Sequence, residues 1–242
     1  MFTATARYYD ALYAERDFEG EANAVLELAG RHVHEPRSLL DAACATGEHL
    51  GHFARRLGAA EVAGFDLDPV LVELARAKLP DVRVECADLG AFELGRRFDV
   101  VACLYGSIAY TTTRERLFAA VGCLARHLAP GGVLALDPFW MRAEDVAPLN
   151  VRHVVRGRLQ IARLGRAVVK DGVAELEIHY LVGEEAPEPG APPRIQHLTE
   201  LHRCGVFSRA DHEDALRAAG LEVHHEPRGP VGRGLFLGVA RR

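Results

Sequence analysis

The chain is expected to fold as an α/β protein: a parallel sheet covered by helices on both faces, with an antiparallel sheet inserted late. Three observations carry this expectation. Strand and helix patterns alternate through the first half; period-2 alternation replaces them from Arg152 to Phe207; helix periodicity then returns at Arg209–Ala219, before two last strands. The boundaries read as 1–138 for N-terminal helices and a ligand-binding core, 139–207 for an antiparallel lid, and 208–242 for a helix and strands that complete the core sheet.

In order, strands read at Ser38–Asp41, Glu61–Asp66, Val82–Glu85, Phe98–Cys103 and Gly132–Asp137, with helices at Glu48–Leu57, Pro69–Leu79 and Thr113–Leu128. Asp68-Pro69 is a helix start, a capping acid followed by proline at the first helical position. Pro130-Gly131-Gly132 reads as a tight turn from helix into strand. In the lid, Val173–Val182 alternates cleanly, Lys170-Asp171-Gly172 is a hairpin signal, and the Pro-rich piece Ala186–Pro193 is a loop. Ser208 caps the late helix, and strands follow at Leu221–Glu226 and Gly234–Ala240.

Composition sets the outer limits. At 242 residues and 49 % hydrophobic, the chain can bury a full core. Net charge is −5 and its basic residues are scattered, so neither a nucleic-acid partner nor an anionic membrane is expected. No apolar run is long enough for a bilayer. The five cysteines are odd in number and widely spaced, which suits buried thiols in a reducing cytoplasm. His49 and His52 lie one helical turn apart, but no third ligand follows at suitable spacing, so no metal is expected.

The densest signal is Leu39-Leu40-Asp41-Ala42-Ala43-Cys44-Ala45-Thr46-Gly47-Glu48: apolar strand, acid, small-residue turn, helix opening. That order sets backbone amides and a helix N-terminus beside a ligand at the carboxyl edge of a parallel sheet. Asp66 ends the next strand about 20 residues on, where a nucleotide-type cofactor presents its ribose hydroxyls. On spacing alone the chain binds a nucleoside-containing cofactor. Only one of the three glycines of a dinucleotide fingerprint is present. The alanines would obstruct a pyrophosphate, whereas a cofactor without phosphate, such as S-adenosyl-L-methionine, tolerates them better.

The motifs Leu40–Gly47, Gly64-Phe65-Asp66, Cys86-Ala87-Asp88-Leu89 and Leu128-Ala129-Pro130-Gly131-Gly132 together resemble the class I S-adenosylmethionine-dependent methyltransferases. Asp137-Pro138-Phe139-Trp140, Glu177-Ile178-His179-Tyr180, Leu201-His202, Phe207-Ser208-Arg209 and Gly232-Arg233-Gly234-Leu235-Phe236 extend the resemblance over nearly the whole chain. They are similar to the N,N-dimethyltransferases of nucleotide-linked aminosugars, which complete the desosamine- and mycaminose-type sugars of macrolides. The resemblance implies a Rossmann-like seven-stranded sheet with its last strand antiparallel, an inserted antiparallel β-sheet lid, and a thymidine-diphospho-3-amino-sugar as small-molecule substrate. A monomer or homodimer is expected, the sequence not deciding between them.

Cofactor contacts are implied at Asp41, Ala43, Ala45, Gly47, Asp66, Leu67, Asp88, Leu89 and Leu104. Of these, Asp66 accepts from the ribose hydroxyls, Asp88 from the adenine amine, and Leu89 offers its amide to a ring nitrogen. Asp41 orients the turn and meets the cofactor amine indirectly. Tyr110, Ser107 and Tyr9 are the catalytic candidates. Tyr13, Trp140, His179, His202 and Arg233 are the substrate candidates, with Arg233 facing the diphosphate. Two departures stand out: Ala45 replaces a family glycine, and Gly106-Ser107-Ile108-Ala109-Tyr110 replaces Ser-Ser-Ile-Gly followed by His or Tyr. They leave two further readings open, methylation of another small natural-product amine or hydroxyl, and a non-catalytic cofactor-binding partner.

Overall fold

The computed structural model describes residues 4–186 and 192–242. Two helices, α1 (Tyr9–Tyr13) and α2 (Phe18–Gly30), precede β1 (Leu39–Ala42), α3 (Glu48–Leu57), β2 (Val62–Asp66), α4 (Pro69–Lys78), β3 (Arg83–Cys86) and β4 (Phe98–Cys103). There follow α5 (Arg114–Arg126) and β5 (Leu128–Leu136), then four strands, β6 (Leu149–Arg156), β7 (Leu159–Lys170), β8 (Val173–Glu184) and β9 (Arg194–Gly205). The chain closes with α6 (Arg209–Ala218), β10 (Glu222–Glu226) and β11 (Leu235–Val239).

The seven core strands lie in the order β10-β11-β5-β4-β1-β2-β3, and β11 runs antiparallel to both its neighbours. Strand order reverses between β1 and β4, which places a crevice at their carboxyl ends. Both faces of the sheet are apolar, as a parallel sheet requires. Leu39 and Val100 pack with α2 and α3 on one side, through Val25, Leu50 and Phe53. Leu40 and Val101 pack on the other with α5 and α6, through Leu117, Val121 and Leu216.

The inserted segment is a separate antiparallel sheet, β6-β7-β8-β9. Its first strand begins earlier than Arg152, at Leu149. One face packs Ile161, Leu176, Ile178 and Tyr180 against Tyr8 and Leu12 from the N-terminal segment. The other carries Leu149, Val151, Leu181 and Ile195, all more than half exposed. Most of the predicted loop Ala186–Pro193 lies outside the described residues.

Two expectations are corrected. Pro130-Gly131-Gly132 is not a turn between helix and strand. The helix stops at Arg126 because the His127 carbonyl accepts from Phe98 N at 2.8 Å, so β5 already begins at Leu128. The Pro-Gly-Gly piece forms a bulge inside β5, where Gly132 passes so close that a Cβ would lie 2.9–3.1 Å from three backbone carbonyls. Cys86 is exposed at the end of edge strand β3 rather than buried, while the other four thiols are buried. All five are free, and among the described residues no helix is long and apolar enough to cross a membrane.

Candidate functional site

The crevice at the strand ends opens into a cavity of about 810 Å³ bounded by the core sheet, α1 and the inner face of the antiparallel sheet. Its floor is the turn after β1. Ala43 and Ala45 take left-handed φ values of +59° and +48° there, a conformation that costs an L-residue about 1–2 kcal/mol. The turn is held because Ala45 N donates to Asp66 Oδ2 at 2.9 Å, while Asp68 N donates to Asp66 Oδ1 at 2.9 Å. Asp68 in turn caps α4 by accepting from Val70 N at 2.9 Å. A carboxylate at the end of β2 therefore shapes the floor and faces the cavity at once.

Three acids from three strand ends line this floor: Asp41 from β1, Asp66 from β2, and Asp88 just past β3. Asp41 is fully enclosed and its Oδ2 has no hydrogen-bond partner. Burial, with the charge of Asp66 adding to it, pushes its carboxyl up to about 8. Asp66 is also raised by burial, against the backbone hydrogen bonds that it accepts. An enclosed acid with an unused oxygen suits a cationic ligand, and Asp66 and Asp88 suit hydroxyl and amine donors. This set fits S-adenosylmethionine, whose sulfonium and ammonium are positive and whose nucleoside end carries those donors. Leu67, Leu89 and Leu104 supply apolar lining.

The upper wall carries the acceptor-side candidates. Tyr9 and Tyr13 line the cavity from α1, their ring centroids 4.7 Å apart. Ser107 and Tyr110 enter from the turn after β4. Ser107 Oγ donates to the Leu104 carbonyl at 2.9 Å, so its proton serves the turn. Gly106, where the family has serine, sits at φ +70°, and a Cβ there would lie 2.6 Å from that of Phe139. The departure thus belongs to a close backbone–ring packing.

Tyr110 is 37 % exposed toward the cavity, and its hydroxyl reaches Nδ1 of His202 at 2.8 Å. His202 Nε2 meets Glu200 Oε2 at 3.1 Å. Burial pushes the hydroxyls of Tyr9 and Tyr110 well above the usual tyrosine value, so both are neutral donors. Burial alone would raise Glu200 as well. Hydrogen bonds from His202 and Thr5 outweigh it and hold the carboxyl below its ordinary range.

Four predicted residues are placed elsewhere. Gly47 is the N-cap of α3 and faces Ala75 and Leu79 of α4 rather than the cavity. His179 has the outward parity of β8, beside Leu181, and bonds to His197 at 3.0 Å and Glu177 at 3.0 Å. Trp140 packs on Phe139 at the cavity's edge. Arg233 is tied to buried Asp137 at 3.1 Å and lies over the rings of Tyr105 and Phe139. His49 and His52 are also parted, one on Glu21 and the other on Arg55.

Among the cavity residues that the sequence reading missed are two arginines of the inserted sheet, Arg152 on β6 and Arg163 on β7. They stand directly opposite each other across the two strands. Like charges in that position destabilise a sheet. Neither makes an ion pair among the described residues; Arg152 donates to the Leu12 carbonyl at 2.7 Å and Arg163 to Asn150 Oδ1 at 2.7 Å. The available signal was arginine at the inward parity of otherwise amphipathic strands.

Two consequences can be measured. Ala45→Gly should relieve the left-handed strain and raise stability by about 1 kcal/mol, seen as a Tm gain of about 2–4 °C. An unchanged or lower Tm would show that the turn is not strained. The pH effect of Asp41 has a definite sign. Its folded carboxyl is raised from the ordinary range to about 8, so its contribution is full below the ordinary carboxyl range and is lost as pH climbs from there toward 8. Calorimetry on ligand-free protein should therefore find Asp41→Asn gaining on the wild type in Tm between pH 5 and 8. Parallel curves for the two proteins would refute it.

The comparisons with known proteins agree with this geometry. A family model described as a methyltransferase domain matches residues 39–132. The dTDP-3-amino-3,4,6-trideoxy-alpha-D-glucopyranose N,N-dimethyltransferase of Streptomyces venezuelae is 37 % identical over 238 residues, covering 97 % of each chain. The crystal structure of Streptomyces venezuelae DesVI superposes with a TM-score of 0.88 at 37 % identity, over 97 % of this chain and 98 % of that one. CalS10 from Micromonospora echinaspora, an amino pentose methyltransferase solved with bound S-adenosylmethionine, gives a TM-score of 0.83 at 32 % identity, over 96 % of this chain and 95 % of that one. A likeness that runs at this level through core, inserted sheet and C-terminal strand places the chain in the class I S-adenosylmethionine-dependent methyltransferases, among the relatives of the dTDP-aminosugar N,N-dimethyltransferases.

Proposed function

We propose that this enzyme transfers methyl groups from S-adenosylmethionine to the amino group of a nucleotide-linked deoxyaminosugar. The observation that carries the reading is one continuous cavity, with a floor of three acids on one side and Tyr110 with the Arg152/Arg163 pair on the other. The cofactor supplies an activated methyl group. The protein's task is to set an unprotonated amine in line with it, roughly 3–3.5 Å away.

Asp41, Asp66 and Asp88 hold the cofactor, with Ala43, Ala45, Leu67, Leu89 and Leu104 around it. Tyr110 orients the amine, Tyr9 and Tyr13 wall the acceptor side, and the antiparallel sheet acts as the lid. The diphosphate is assigned to Arg152 and Arg163 rather than Arg233. An anion would relieve the repulsion between the facing guanidinium groups, whereas Arg233 already neutralises Asp137. Free thiols fit a cytoplasmic enzyme. The dTDP-aminosugar relative named above supports the same substrate class.

Mass spectrometry across a panel of dTDP-3-amino and dTDP-4-amino sugars tests the proposal. Mono- or dimethylated amine with stoichiometric loss of cofactor is expected; methylation only of hydroxyl or carboxyl acceptors would overturn it. Tyr110→Phe should lower kcat by about 10- to 100-fold, at the low end of general acid–base effects, with cofactor affinity nearly unchanged. Turnover within twofold of the wild type would remove Tyr110 from the mechanism. Arg163→Met should weaken thymidine diphosphate binding by about 1.5–3 kcal/mol, while S-adenosylmethionine binds as before. Equal affinity for thymidine diphosphate would return the assignment to Arg233.

A further inference from the structure

Glu200 is 4 % exposed and His202 2 % exposed, an acid and an imidazole enclosed on the inner face of β9. Glu200 Oε2 takes the His202 Nε2 contact at 3.1 Å and a longer one from the Tyr180 hydroxyl at 3.4 Å. Its Oε1 accepts from both Thr5 N at 3.0 Å and Thr5 Oγ1 at 2.8 Å. A carboxylate can only accept, so Nε2 of His202 carries the hydrogen, and Nδ1 is left to accept from Tyr110 in the neutral ring. The directed chain is therefore Tyr110 O–H to His202 to Glu200, running from the cavity into the lid.

The other groups around this chain do not compete for the proton. Cys204, two residues along β9, is a thiol that burial pushes up to about 12. Tyr9 and Tyr13 from α1 are neutral, as is Tyr180 from β8, with burial raising all three hydroxyls. Arg163 on β7 lies over the Tyr180 ring with its centroid 5.9 Å away. Among the described residues, Glu200 is the anion bonded to His202.

We propose that Glu200 is a positioning residue: it fixes the tautomer of His202, so that Tyr110 and His202 carry away the proton released when the amine is methylated. The inference rests on the functional proposal above. In the step, the amine lone pair bonds to the methyl carbon as the carbon–sulfur bond breaks, with that electron pair leaving on sulfur. The new ammonium gives an N–H proton to the Tyr110 oxygen while the tyrosine's own proton moves to Nδ1 of His202. The resulting imidazolium faces the Glu200 carboxylate and later returns its proton to solvent. A second methylation of the same nitrogen repeats the sequence. Glu200 Oε1 at the same time anchors Thr5, so the carboxylate that faces His202 also ties the inserted sheet to the N-terminal segment.

The test joins a titration without substrate to a rate profile. In protein labelled with 15N at histidine, with His202 assigned from a His202→Gln variant, the wild type should show the Nε2–H tautomer at neutral pH. In Glu200→Gln the His202 midpoint should fall by about one pH unit or more, because a carboxylate favours the charged ring. The acid limb of kcat should move to lower pH by the same amount, with kcat down by about tenfold or more. Glu200→Asp should keep the wild-type midpoint, and Thr5→Val should lower Tm without moving it. A purely structural Glu200 would change Tm and KM only. An Nδ1–H tautomer in the wild type, or an unmoved midpoint or acid limb in Glu200→Gln, overturns the inference. Failure of the wild type to methylate any aminosugar would sink the functional proposal instead, and the imidazole titration is read without substrate.

Discussion

A single hydrogen bond, from Ala45 N to Asp66 Oδ2 at 2.9 Å, turns two neighbouring strand ends into a binding site. It joins the turn after β1 to the tip of β2, and the left-handed residues Ala43 and Ala45 are tolerated because this contact holds the turn. The same carboxylate receives Asp68 N, and Asp68 starts α4. The placement of α3, of α4 and of the cavity floor between them thus follows from one acid in one position. Replacing glycine by alanine in such a turn costs strain but leaves the amide pointing where it must.

The floor stores electrostatic tension. Burial and the charge of Asp66 oppose the ionisation of Asp41, burial also raises Asp66, and Asp41 has an oxygen with no protein partner. A cavity built from buried acids favours a positive guest, because only such a guest recovers what burial removed from the carboxylates. At the other end the polarity is inverted, with two arginines opposed on adjacent strands. A molecule cationic at one end of the cavity and an anionic one at the other answer both tensions.

The roof is assembled from parts remote in sequence. Thr5 bonds to Glu200, Arg152 to the Leu12 carbonyl, and Thr46 Oγ1 to Asp10 Oδ1 at 2.6 Å. Lys78 further ties Asp10 to Glu48 with contacts of 2.6 Å each. Through these links the N-terminal helix, the floor turn and the antiparallel sheet close over one space. The acceptor side is thus bounded by elements from both ends of the chain.

The core was legible because its signals are local. Apolar strand runs, the capping acid Asp68 and the small-residue turn between Asp41 and Glu48 each reflect a backbone requirement met by adjacent residues. Asp41, Asp66, Asp88 and Tyr110 could be named for the same reason: the carboxyl end of a parallel strand has one direction to face. The antiparallel sheet was legible as period-2 alternation, yet alternation alone does not say which parity looks inward. His179, expected in the cavity from the resemblance, has the outward parity and stands outside it, while Arg152 and Arg163, at the inward parity, passed unnoticed. Arg233 was matched to phosphate without sight of Asp137, which lies far away in the chain and claims it. Local sequence by itself determined the strands, the helix caps and the acidic floor. Only tertiary packing decided which face of the inserted sheet lines the cavity, which arginines lack an ion pair among the described residues, and that Glu200 stands behind His202, because these depend on contacts between residues up to about 195 positions apart.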